Sequence, residues 1–290
     1  MVFGILNKII KGSDPSEEIE KVVPISECAA ECSSCTSKFP SSMKIDTNTP
    51  LYNSTSPFKL HCVIPTGKAD WNHSATDTSG SVEHSVSTWA SKQGEAIVGG
   101  NVKVSVSNHP LDEEYPADVN DVLLLPYFVW VRKVSADNIG NVLSKLIPLL
   151  ITATESGSTE LPQEVEGFKI EPSNYKAYIF LCSHKTRDKR CGITAPIMKR
   201  EFDSNLREMD LLRDFGDERP GGVNVGFINH VGGHKFVANL LIYMKSGEMI
   251  WMARTTPANC KPILEETIMG GGKVWPDKVR IVQKSCAINW

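Results

Sequence analysis

The chain has 290 residues, 41% of them hydrophobic and 22% charged, with a formal charge of -3, 8 Cys and 7 His. Such a length and apolar content suit one large or two ordinary folded domains and exclude disorder as the main state, while the near-neutral charge excludes a global basic field for nucleic acid or membrane. Eight thiols over this length are too dilute for a disulfide-stapled secreted scaffold, so the expected compartment is reducing, the cytoplasm and also the nucleus, where Cys and His act as metal ligands or redox groups.

The chain starts MVFGILNKIIKG. Its apolar stretch is short and interrupted by Lys8, unlike a secretory signal, and it lacks the Arg of a mitochondrial presequence. Val2, Phe3, Ile5, Leu6, Ile9 and Ile10 would line one face of a short helix that docks on its own domain. The longest apolar run, 122–131, contains Pro126 and falls well short of the roughly 20 residues of a spanning helix, so no membrane span is expected.

Residues 1–57 are expected to be an N-terminal arm, largely mobile, because 12–57 is rich in Ser, Thr, Pro and acidic residues without a sustained period. The arm carries Cys28, Cys32 and Cys35. An N-terminal α/β domain follows over 58–151, with strands at 59–64 and 102–106, a helix over 82–92 and one buried strand over 122–131. Ile139, Val142, Leu143, Leu146 and Leu149 then fall at helical spacing, predicting a helix over 138–150.

Residues 152–173, with Ser, Gly, Pro and several Glu, read as an interdomain linker. The second domain, 174–290, repeats the order: a strand at 175–181, a helix at 196–209, strands at 223–228, 236–244 and 249–253, a helix at 260–269 and a last strand at 279–282. The fold class is α/β, a small mixed sheet with helices on its faces in each domain. No residue-level repeat accompanies the repeated order, so internal duplication rests on element order alone.

The chemistry concentrates in this second domain. Cys182-Ser-His-Lys-Thr-Arg-Asp-Lys-Arg-Cys191 follows one apolar strand, and His230-Val-Gly-Gly-His234 follows another. If the strands are neighbours, their following loops lie side by side and the four side chains converge on one metal site. Gly232 and Gly233 would let the backbone approach a bulky inorganic core.

Zinc accepts two Cys and two His, but structural zinc sites usually place two to four residues between paired cysteines, a far tighter spacing than that from Cys182 to Cys191. A wide loop suits a 2Fe-2S cluster. The order is not that of a Rieske centre, although Cys182-Ser-His184 imitates half of one and keeps His184 as a reserve ligand. The loop between the cysteines, with Lys185, Arg187, Lys189 and Arg190, is either a solvated surface or a basic rim for an acidic redox partner. Without interleaved aromatics it does not point to nucleic acid.

FLCSHKTRDKRCGITAP (180–196) and FINHVGGHKFVANLLIY (227–243), with LYNSTSPFKLHCVIPTGKADWNH (51–73) and DVLLLPYFVW (121–130), closely resemble the sucrase/ferredoxin-like family. The resemblance implies a C-terminal thioredoxin-like ferredoxin domain with a 2Fe-2S cluster on Cys182, Cys191, His230 and His234, the preceding α/β domain being open to the same thioredoxin-like reading. It implies a cytosolic electron carrier in redox homeostasis rather than a catalyst with its own substrate, supplied by an NADPH-dependent diflavin reductase. Two neutral imidazoles in place of two thiolates make the cluster less negative and easier to reduce, and their second nitrogens couple electron uptake to protons. The resemblance also implies that Trp290 is a signal for the cytosolic iron-sulfur targeting complex, although Asn289 departs from the residue expected beside it.

Two alternatives remain open. The same ligands could make a zinc-stabilised binding or scaffold module, and Cys32-Ser-Ser-Cys35 has the spacing of a thiol oxidoreductase without its strand-to-helix context. Cys28, Cys32 and Cys35 could also bind zinc together with Cys62 or His61.

Overall fold

The computed structural model describes residues 14–217 and 219–290. The apolar positions from Val2 to Ile10 lie outside the described residues. In the first half, β1 (Leu60–Pro65), β2 (Val102–Ser107), β3 (Val119–Leu125), β4 (Val129–Ser135), β5 (Glu164–Val165) and β6 (Phe168–Pro172) surround helices α2 (Val82–Trp89), α3 (Glu95–Val98) and α4 (Ile139–Glu155). The second half contains β7 (Ala177–Cys182), α5 (Lys189–Glu208), β8 (Val223–Ile228), β9 (Leu240–Met244), β10 (Glu248–Met252), the short α6 (Cys260–Pro262) continued as a π-helix over Ile263–Ile268, and β11 (Val279–Lys284).

All eleven strands belong to one sheet, in the order β11-β10-β9-β7-β8-β2-β1-β3-β4-β6-β5. The order contains the same unit twice. β1 is parallel to β2 and antiparallel to β3, which pairs with β4; β7 is parallel to β8 and antiparallel to β9, which pairs with β10. The two units meet at a single antiparallel bridge, Ser107 to Ile228. Two asparagines fasten this seam reciprocally: Asn108 Oδ1 accepts the Phe227 N–H at 2.6 Å and Asn229 Oδ1 accepts the Val106 N–H at 3.0 Å. The Asn-His pair after β2, Asn108-His109, thus matches the Asn-His pair after β8, Asn229-His230.

Side chains alternate across each strand and divide the core by face. Leu60, Cys62 and Ile64 pack under α2 and α4, and Ala177, Ile179 and Leu181 under α5 and the helix at 260–268. From the opposite faces, Val63, Leu123 and Phe128 pack against Tyr178, Phe180, Leu241 and Trp251 in one shared cluster. The half-sheets therefore press inner face to inner face, with helices outside. His61 crosses this interface, its Nδ1 2.6 Å from the Tyr243 hydroxyl.

Several expectations are corrected. The run 122–131 is two strands, because Pro126, which has no N–H for a ladder, sits in the cis-proline turn between β3 and β4. The stretch 152–173 is more than a linker: α4 runs into it, and β6 extends the first half's sheet through Val131↔Ile170. Residues 14–57 are packed rather than a mobile arm. Asp14 caps α1 (Pro15–Glu20), Ile19 and Val23 are buried in the second half's outer core, and Trp275 Nε1 donates to the Cys28 carbonyl at 2.8 Å. Polar composition hid this, because a few apolar anchors hold a mostly polar segment.

α5 begins seven residues earlier than Pro196 suggests, since Asp188 is the cap and its side chain accepts the Arg190 N–H. Cys191 therefore lies in the first helical turn. The expected strand over 236–244 begins only at Leu240, after a 3-10 turn, His234–Phe236. No helix among the described residues is long and apolar enough to cross a membrane.

Candidate metal centre

Parallel pairing of β7 with β8 places Cys182 opposite Ile228, so the two loops that follow share one edge. Cys182 ends β7 on the inner face, and α5 returns Cys191 to it. Gly192 allows this return: a Cβ there would stand 2.5 Å from the Lys185 Cβ, so the helix packs directly on the loop. The thiols, 2% and 1% exposed, lie 3.4 Å apart. His230 Nδ1 is 3.8 Å from Cys182 Sγ, and the ligand atoms of Cys182, Cys191 and His230 all lie within 4.8 Å of one another.

His234 stands just outside this set. It is exposed, with Nδ1 3.4 Å from His230 Nε2 and ring centroids 5.2 Å apart. The four donors run Cys191, Cys182, His230, His234 from core to solvent. Gly232 and Gly233 between the histidines both have positive φ, 90° and 72°. A Cβ on Gly232 would meet nothing within 4 Å, whereas one on Gly233 would strike the Arg280 guanidinium at 2.5 Å.

The electrostatics favour one thiolate. A hydrogen bond from Cys191, opposed by burial and aided by His230, holds the Cys182 thiol well below its ordinary range, and the same bond keeps Cys191 protonated. Two cations face this charge. Arg280 is 2% exposed, lies 4.5 Å from the Trp251 ring centroid and donates to Gly232 O, Asn239 Oδ1 and both oxygens of Ser54. Lys103 lies 4.9 Å from the same ring centroid. Burial pushes Arg280 down to about 10 and Lys103 to about 8, while the Cys182 charge acts in the opposite sense on both. Neither makes an ion pair with a carboxylate among the described residues.

The first half roofs the ligand loop. Ser183 Oγ donates to Ala69 O at 2.7 Å, Asp70 accepts the Thr186 N–H and hydroxyl, and Arg187 bonds His73. His184, expected as a reserve ligand, is instead a strut. Its Nε2 is bonded to Trp71 O at 2.9 Å and its Nδ1 accepts the His230 N–H at 3.1 Å, so both nitrogens are occupied. Arg190 is tied to Asp188, leaving Lys185, Arg187 and Lys189 around an open cavity of about 540 Å³.

The other candidate residues lie elsewhere. Cys62 faces the outer core and His61 the inner interface, away from the arm cysteines, whose backbone is held by the second half at Cys28 O and Cys32 N–H; among the described residues, only Cys182, Cys191 and His230 come together as a group of three metal donors. The Trp290 indole is docked, donating to Tyr127 O at 2.9 Å. Sequence reasoning missed Arg280 and Asn239, whose signal is three-dimensional. It also missed that His109, buried in the first half, occupies the position of His230, while Pro65, paired with Ser107, stands where Cys182 stands.

No solved structure matches the chain. A Saccharomyces cerevisiae protein named "Actin patches distal protein 1" is 39% identical over 254 residues, which is 83% of this chain and 79% of that protein. "Altered inheritance of mitochondria protein 32" of Meyerozyma guilliermondii is 33% identical over 93 residues, 32% of this chain and 30% of that protein, and its Debaryomyces hansenii namesake is 34% identical over 98 residues. The sucrase/ferredoxin-like family model matches residues 51–281, which takes in both halves of the sheet and all four donors; the chain belongs to the sucrase/ferredoxin-like family.

Proposed function

We propose that the chain is a cytoplasmic one-electron carrier that holds one 2Fe-2S cluster through Cys182, Cys191, His230 and His234 in a thioredoxin-like second half. One arrangement carries the reading: two buried thiols 3.4 Å apart continue into two adjacent imidazoles that reach solvent. Two thiolates and two imidazoles would hold such a cluster, and Gly232, where a Cβ would meet no atom, leaves the loop beside them open. When bound, the cluster supplies a reversible one-electron couple, which two imidazoles shift upward relative to four thiolates.

The chain's own residues do the rest. The inner interface excludes water from the sulfurs, Arg280 and Lys103 supply compensating positive charge, and the exposed His234 gives protons a point of exchange. Lys185, Arg187 and Lys189 form a rim for an acidic redox donor, which family resemblance suggests is an NADPH-dependent diflavin reductase. Recognition of Trp290 by the iron-sulfur targeting complex would require its indole to leave Tyr127.

A zinc-stabilised module is the second reading, favoured by the three donors within 4.8 Å. Anaerobic purification with iron, sulfide and zinc analysis, followed by electron paramagnetic resonance of the reduced protein, separates the two. A paramagnetic reduced state with two iron and two sulfide per chain is expected; a colourless protein with stoichiometric zinc and no redox couple overturns the proposal.

A further inference from the structure

We infer that Cys32 and Cys35 form a reversible dithiol–disulfide pair that exchanges with low-molecular-weight disulfides of the glutathione type. This site is separate from the metal centre and does not depend on it. The segment before the pair is fixed to the second half: Asn259 Nδ2 donates to Ala30 O at 2.7 Å, and the Cys32 N–H donates to Ala258 O at 2.7 Å. The Cys35 N–H then returns to the Cys32 carbonyl at 3.3 Å, closing a four-residue turn. The end Cα atoms of such a turn lie within about 7 Å, and disulfides bridge Cα atoms about 4.4–6.8 Å apart, so closure is left to side-chain rotation.

The two thiols have unlike surroundings. Cys32 Sγ is 3.1 Å from the Ser34 hydroxyl, which with backbone donors and Lys261 draws its pKa down. Burial pushes Cys35 up, and its Sγ lies 3.6 Å from a Glu201 carboxylate oxygen, which also holds the Ser37 hydroxyl through its other oxygen. This is the polarity of an attacking and a resolving thiol. Among the described residues the pair belongs to no group of three metal donors lying within 4.8 Å of one another, unlike the metal centre. Cys260 is fully buried, with its thiol directed at the Met198 carbonyl and sulfur, and does not compete.

The exchange balances in two steps. The Cys32 thiolate attacks one sulfur of the small disulfide, whose S–S bond breaks and releases one thiolate that takes a proton from water. Cys35 passes its proton to Glu201 and attacks the Cys32 sulfur, forming the protein disulfide and releasing the second thiol, which recovers that proton. Two protein thiols lose two electrons, and one small disulfide becomes two thiols.

The test uses the full-length reduced protein equilibrated in glutathione buffers of increasing oxidation, acid-quenched, alkylated and mapped by mass spectrometry, with cleavage after Glu31 separating Cys28 from the pair. The expected result is concerted loss of two alkylatable thiols as a Cys32–Cys35 crosslink, with Cys28 and Cys260 still alkylated and the visible spectrum unchanged. Cys35→Ser should trap a mixed disulfide on Cys32, and Glu201→Gln should slow ring closure several-fold without slowing the first attack. Independent oxidation of the two thiols, crosslinking to Cys28, or a reduced pair in buffers that already oxidise Cys28 would overturn the assignment.

Discussion

The Nδ1 atom of His184 accepts the backbone N–H of His230 at 3.1 Å, and the opposite nitrogen of the same ring bonds Trp71 O at 2.9 Å. A neutral imidazole with its proton on Nε2 satisfies both contacts, so this buried ring joins the first half's loop to the backbone of a candidate ligand. His184→Ala removes two hydrogen bonds at a buried site and should cost about 2–4 kcal/mol. Denaturant unfolding measures that cost. Bleaching of the visible spectrum by a chelator should be several-fold faster in this variant, whereas an unchanged rate would reduce His184 to a packing role.

Gly233→Ala tests the backbone approach. Its φ of 72° is strained for alanine, and the added Cβ would collide with a guanidinium that is itself held by three other residues. A destabilisation of at least about 1–2 kcal/mol is expected, together with weakened metal retention. Gly232→Ala meets no atom and should show the backbone strain alone, so thermal denaturation of the two variants separates strain from collision.

Arg280 and Lys103 favour negative charge at the sulfurs. Arg280→Met and Lys103→Met should each lower the reduction potential in a spectroelectrochemical titration, because removing a nearby cation disfavours electron uptake. Unchanged potentials in both variants would show that the field at the site is set elsewhere.

Buried His109 and His61 should make the fold acid-sensitive. Desolvation lowers its pKa to about 3, and buried His61 is shifted in the same direction. The unfolded chain takes up these protons near pH 6.5, before the folded protein does, so stability is complete above that value and declines as pH falls toward about 3. Each histidine contributes a loss of up to about 1.4 kcal/mol per pH unit. Urea unfolding between about pH 7 and 5 should show this slope, and His109→Gln should flatten it.

The strand over 223–228 was legible in full because it is buried on both faces, at every position but the half-buried Phe227. The convergence of Cys182, Cys191 and His230 was legible because both motifs directly follow strands, so only the pairing of β7 with β8 had to be supplied. His184 was not: a His two residues after a Cys looks like a ligand until the Trp71 carbonyl and the His230 amide, both distant in sequence, are seen to occupy it. The same limit concealed α1's partners and the place of β6 beside β4. The repeated strand unit leaves one matching dipeptide in the sequence, Asn108-His109 against Asn229-His230, too little to register without the seam that juxtaposes them.

The roof over the ligand loop changes what a fragment of this protein would be. Cutting within 152–173, the break that composition suggests, would leave a C-terminal piece with every donor but without Ala69, Asp70 and Trp71, the acceptors that hold Ser183, Thr186 and His184. It would also expose Tyr178, Phe180 and Trp251 to water. The half that contributes no ligand thus completes both the hydrogen bonds of the ligand loop and the apolar cover of the half that does.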